Sequence, residues 1–89
     1  MTFVVFIVDP DTHLKTYIFS QTEVTIGRSP NNHIVLDEAS VSKYHGRLIS
    51  IDDTLFLSDL GSANGIIVNQ KKITVQTVIF GSDSINIRG

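Results

Sequence analysis

Three polar loop segments hold the residues of this chain that could do chemistry on a ligand. The first, Thr25-Ile26-Gly27-Arg28-Ser29-Pro30-Asn31-Asn32, ends an apolar run at a glycine and delivers an arginine. The second is Ser40-Val41-Ser42-Lys43-Tyr44-His45-Gly46, and the third is Asp59-Leu60-Gly61-Ser62-Ala63-Asn64-Gly65. An arginine fork matches phosphate oxygens two at a time, and a lysine adds a mobile point charge. A serine hydroxyl supplies a further donor, and glycine-rich turns bring backbone N–H groups close to an anion. Asparagine both donates and accepts, so it can bridge to a peptide main chain. Brought together, Arg28, Ser42, Lys43 and Asn64 would form a site for a phosphate carried on an extended peptide.

Other chemistries fit these residues less well. Ser42, His45 and Asp59 could be drawn as a catalytic triad, but nothing near Ser42 reads as a strained nucleophile turn or an oxyanion site. His45 is therefore expected to be structural. The histidines His13, His33 and His45 lack metal-ligand spacing, so no metal and no cofactor are expected. Tyr17 and Tyr44 read as packing residues rather than as platforms for stacked bases.

The elements that must position these loops are short strands. Val-, Ile-, Phe- and Thr-rich runs recur at Phe3–Val8, Thr16–Phe19, Val24–Ile26, His33–Leu36, Arg47–Ile51, Leu55–Leu57, Ile66–Val68, Val78–Phe80 and Ile85–Ile87, each closed by turn residues. No window carries helical spacing of apolar residues. Short strands broken every eight to twelve positions predict an all-β sandwich or barrel, with a tight hairpin at Asp52-Asp53-Thr54. The 89 residues have room for one domain with one core, read as 1–89 and open to being part of a longer protein. With no cysteine, neither disulfides nor thiolate-bound metal can hold that core. Seven basic against nine acidic residues, with no basic run, argue against nucleic acid as a partner. The longest apolar run, Phe3–Val8, is too short to span a bilayer, so no membrane insertion is expected.

Gly27-Arg28, then Ser42-x-x-His45, then Asn64-Gly65 resemble, in order and spacing, the signature of forkhead-associated (FHA) domains. The stretches Asn32-His33-Ile34-Val35-Leu36-Asp37, Asp59-Leu60-Gly61-Ser62 and Ile67-Val68-Asn69 are similar to the family too. The resemblance runs from about Val24 to Ile87. It implies a sandwich of about eleven short, mainly antiparallel strands in two sheets, with binding loops at one end and no catalysis. It implies that Arg28 and Ser42 contact the phosphate of a phosphothreonine, Lys43 a second phosphate or peptide position, and Asn64 the peptide main chain. His45 matches a residue that braces the loop from inside; Gly27 and Gly65 match turn positions, and Ser62 and Ala63 belong to the supporting loop. Ala63 departs from the threonine, serine or lysine of many relatives, which implies weaker binding, with the backbone N–H there still able to serve. Gln70 replaces a glycine that often follows Asn69.

The function that follows is a phosphothreonine-dependent protein interaction module acting in Ser/Thr kinase signalling, in a bacterial cytoplasm. Its partner would be a phosphothreonine-containing protein, the substrate of such a kinase. The competing reading is a scaffold domain of the same fold, as in bacterial secretion assemblies, that needs no phosphate.

Overall fold

A computed structural model of the chain describes residues 1–73 and 75–88. Ten strands occur among them: β1 (Phe3–Val8), β2 (Leu14–Phe19), β3 (Glu23–Gly27), β4 (Ile34–Val35), β5 (Gly46–Ile51), β6 (Thr54–Asp59), β7 (Ile66–Val68), β8 (Lys71–Lys72), β9 (Thr77–Ile79) and β10 (Ser84–Ile87). They form two five-stranded sheets, ordered β2-β1-β10-β7-β8 and β4-β3-β5-β6-β9. The expected all-β sandwich is therefore present, with ten strands rather than about eleven. Most neighbours are antiparallel, but β1 with β10 and β3 with β4 run parallel. Among the described residues no helix is long and apolar enough to cross a membrane.

Alternation builds the core. In β6, Leu55 and Leu57 are buried between half-exposed neighbours, and in β10 Ile85 and Ile87 do the same beside Ser84 and Asn86. Ile7, Ile66, Ile85 and Ile87 from one sheet are buried with Val24, Ile26, Leu48 and Leu57 from the other. Full burial of one such side chain stabilises by roughly 1.5–3 kcal/mol, so this layer suffices to hold two sheets without cross-links. β1 is the longest strand without a polar alternate among the described residues: its outward residues Val4, Phe6 and Val8 are as apolar as the inward Val5 and Ile7.

Two hairpins turn through paired left-handed residues. Asp52 and Asp53 (φ 49° and 62°) join β5 to β6, confirming the expected tight turn. Asn69 and Gln70 (φ 48° and 70°) join β7 to β8. Positive φ at both central positions matches the twist of the flanking strands, at a steric cost for any residue with a Cβ. β8 itself is two exposed lysines, which no apolar run could reveal. Other boundaries shift as well. β2 begins at Leu14, the His33–Leu36 run contributes only Ile34–Val35, and Phe80 lies beyond β9, largely exposed.

Candidate functional site

β5 runs antiparallel to both β3 and β6, so the end of β3, the start of β5 and the end of β6 meet at one end of the sandwich. The three polar loops leave the sheet there. The strand ladder thus performs the convergence that the site needs.

The first two loops are zipped together by backbone. Arg28 N–H donates to Ser42 O (3.0 Å) and Ser29 N–H to Lys43 O (3.2 Å). Asn32, buried, adds its amide Nδ2, which donates to Ser29 O (2.9 Å) and Lys43 O (2.7 Å). Gly27 permits this approach: a Cβ there would collide with the Lys43 carbonyl and stand 2.8 Å from Asn32 Nδ2.

His45 joins the second loop to the third. It is completely buried; Ser42 N–H donates to its Nδ1 (3.1 Å), and its Nε2 donates to Gly65 O (2.8 Å). A carbonyl can only accept, so the proton sits on Nε2 and Nδ1 is bare. The third loop is braced internally. Asp59 accepts from Ser62 N–H (2.7 Å) and Ser62 Oγ–H (2.8 Å), and Ser62 Oγ accepts from Gly65 N–H (2.9 Å). Gly65 holds φ +85°, and a Cβ there would press on the Lys72 side chain, 2.9 Å from Cε.

Around this frame the candidate ligand residues keep unspent donors. Arg28 commits Nε to Val41 O (3.0 Å), leaving its terminal nitrogens and their four N–H groups. Ser42 Oγ accepts from Ala63 N–H (3.0 Å), which leaves the hydroxyl hydrogen to donate. Ala63 N–H, expected to remain available to a ligand, is thereby already engaged. Lys43 is exposed at the rim, and its carbonyl rather than its ammonium organises the loop. Asn64 is exposed, and its Nδ2 donates to Ser40 O (2.8 Å), so it ties the third loop to the second while Oδ1 and one N–H stay open. All four residues named from sequence thus lie on the loops that the fold gathers.

Two features were not legible. Asn32 stands in the first loop and in a family-like stretch without a role of its own, and its burial shows it as the peg between loops. Tyr44, read as a packing residue, is half-exposed. Hydrogen bonds from the Asn31 and Ser29 side chains hold its phenol below the ordinary tyrosine pKa, and Lys43 adds attraction for the anion. Among the described residues no group of three or more His, Asp or Glu side chains is placed to hold a metal ion.

The family model described as the FHA domain matches residues 24–88. The chain belongs to the FHA domain family. This FHA domain is 32% identical over 73 residues to the transcriptional regulatory protein EmbR of Mycobacterium tuberculosis, covering 82% of the chain and 19% of EmbR. It is 30% identical over 67 residues to the oxoglutarate dehydrogenase inhibitor of Corynebacterium glutamicum, covering 75% of the chain and 47% of the inhibitor. The FHA domain thus spans about a fifth to a half of the curated relatives it matches. Its fold superimposes on M. tuberculosis EmbR in complex with a low-affinity phosphopeptide, with TM-score 0.79, 26% identity, and coverage of 94% of this chain and 21% of that one. The FHA domain of CT664 from Chlamydia trachomatis, at 24% identity, shares the fold (TM-score 0.76; 98% and 86% covered). FHA domains are interaction modules, and the two curated relatives are by name a regulator and an inhibitor rather than enzymes.

Proposed function

We propose that this FHA domain is a non-catalytic module that binds a phosphothreonine-containing protein made by a Ser/Thr kinase. One observation carries the reading. Among the described residues, the Arg28 terminal nitrogens and the Ser42 hydroxyl hydrogen are left unpaired on two loops that Asn32 and His45 lock together. A phosphate offers three acceptor oxygens and a charge of roughly −1.5 to −2, which matches that donor set. In this reading Lys43 adds charge at the rim, and the open Oδ1 and N–H of Asn64 meet the peptide main chain. Gly27, His45, Ser62, Ala63 and Gly65 shape the loops without touching ligand. The phosphopeptide complex of EmbR supports the ligand class.

The test is calorimetric titration with a degenerate phosphothreonine peptide library and its unphosphorylated counterpart. The phosphorylated pool binds and the other does not. Arg28→Ala lowers affinity by ~2–5 kcal/mol, the usual result of truncating one side of a hydrogen-bonded charge pair. Equal affinity for both pools would overturn the reading in favour of a phosphate-independent scaffold.

A further inference from the structure

The two sheets have four edge strands among the described residues, and they are not protected alike. β8 is two residues long and both are lysines; β4 has two residues and β9 three. Short length and lysine are the usual means of keeping an open edge from pairing with another chain. β2 has the least of either. It is six residues long, contains no proline, and carries one charge, Lys15.

The outward backbone groups of β2 follow from its hairpin with β1. Asp9 N–H donates to His13 O (3.0 Å), which makes Asp9 and His13 a hydrogen-bonded position just beyond the Val8–Leu14 pair. Hydrogen-bonded and non-bonded pairs alternate along an antiparallel ladder. Lys15, Tyr17 and Phe19 therefore bond to β1, and the N–H and C=O of Leu14, Thr16 and Ile18 point away from the sheet. The side chains of these same three residues lie on the outer face, opposite Val8, Phe6 and Val4. Leu14 is 63% exposed, Ile18 70% and Val4 43%. β2 thus offers a row of unmet backbone groups beside an apolar face without a charge.

From this geometry we infer that β2 pairs with β2 of a second copy of this chain, antiparallel and about a twofold axis at Thr16. The strand is complementary to itself in that register. Thr16 faces Thr16, and Leu14 faces Ile18 of the second copy, so every outward-pointing residue meets another one. Aliphatic pairs and a threonine pair are favourable neighbours across antiparallel strands. On the other face Lys15 meets Tyr17 of the second copy, so no like charges oppose each other. An uncharged apolar face selects an uncharged apolar partner, and the second copy supplies one. Pairing fuses the two β2-β1-β10-β7-β8 sheets into one of ten strands. None of the residues in the three-loop end belongs to β2, so the dimer leaves both ends open.

Only one ladder and a few side chains are buried, which places the contact among small, weak interfaces of under about 1,200 Å². Sedimentation velocity therefore has to span ~10 μM to ~1 mM protein, with monomer expected at the low end and dimer at the high end. Thr16→Pro removes only an outward N–H, a change that edge strands tolerate, and should leave a monomer that melts like the parent. Because the chain has no cysteine, single substitutions give unambiguous cross-links. Thr16→Cys places two thiols on the axis, with Cα atoms about 5.5 Å apart, inside disulfide range. Ile18→Cys places them roughly 14 Å apart and should not cross-link. A monomer at ~1 mM, or oxidation of Ile18→Cys as ready as that of Thr16→Cys, overturns the proposal. If Thr16→Pro fails to fold, the two cysteine variants decide.

Discussion

The three-loop end and the β2 edge both present backbone to solvent, but they treat it differently. At the loop end, carbonyls and N–H groups are taken up inside the chain: Ser42 and Lys43 carbonyls by Arg28, Ser29 and Asn32, and Gly65 by His45. What remains free there are side-chain donors suited to an anion. Along the outer face of β2, Leu14 and Ile18 flank an uncharged Thr16, and the free groups are the main chain itself. A loop end built this way is ordered before ligand arrives, so little conformational entropy is lost on binding. The β2 edge has no such internal satisfaction and gains most from another strand.

The comparison breaks most severely at His45. His45→Ala removes both ring hydrogen bonds and leaves a cavity at a fully buried position. A loss of about 3 kcal/mol is expected, a large part of the 5–15 kcal/mol typical of a small domain. Thermal unfolding should show a clear drop in Tm, and peptide titration should weaken with it. Normal melting with binding abolished would instead make His45 a direct ligand contact.

Next in size is Ser42→Ala, which deletes the proposed phosphate donor and the acceptor of Ala63 N–H. Phosphopeptide affinity should fall by ~1.5–3 kcal/mol, or roughly 10- to 100-fold, with the fold retained. Titration of a folded variant with unchanged affinity would remove Ser42 from the site.

How much of this was readable in advance depended on what each residue announces. Gly27-Arg28, Ser42, His45 and Asn64-Gly65 were visible because chemistry-bearing types stand at fixed intervals in polar loops. Nine of the ten strands were visible as β-branched and aromatic runs. β8 was not, since its two lysines are held by the Asn69-Gln70 turn and not by burial. Asn32 was hidden because burial of a loop asparagine is set by the distant Gly27 and Lys43. The openness of β2 was hidden also, because strand order within a sheet is a tertiary fact.

A smaller effect sharpens the account of the turns. Gln70→Gly relieves a side chain at φ 70° and should raise stability by ~0.5–1 kcal/mol, read from denaturant midpoints. No gain would mean that the Gln70 side chain makes a compensating contact.

The smallest expected effect is a pH slope at Glu38, beside the turn between β1 and β2. The side-chain hydrogen bond with Asp11, then burial and the charges of Asp11 and Asp9, raise the Glu38 carboxyl from 4.5 to about 7, against the pull of Lys15. Between those values the folded chain holds a proton that the unfolded chain has released. Stability therefore falls as pH rises from about 4.5 to about 7, and the slope ends above that. Asp9 behaves oppositely. Burial pushes it up, but hydrogen bonds from His13 and Asp11 and the charges of His13 and Lys15 outweigh this and hold it below 3.8. Its contribution is lost only as pH falls through that lower value, outside the Glu38 window. Glu38→Gln should flatten the dependence of Tm on pH between about 4.5 and about 7, by little because water screens part-exposed groups. An unchanged slope would assign the titration elsewhere.

The parallel seam between β1 and β10 governs how the molecule can come together in time. Val8 lies against Asn86 and Phe6 against Ser84, so the sheet that contains β1 cannot close until residues 84 to 86 exist. During synthesis the β1–β2 hairpin would emerge early, with apolar residues on both faces and its seam strand still inside the ribosome. The other sheet needs only residues 23 to 79, and its β3-β5-β6 meander is local enough to assemble first. Closure over so long a loop makes for slow folding, in the millisecond-to-second class of β-rich chains, with the nascent hairpin a natural client for chaperones.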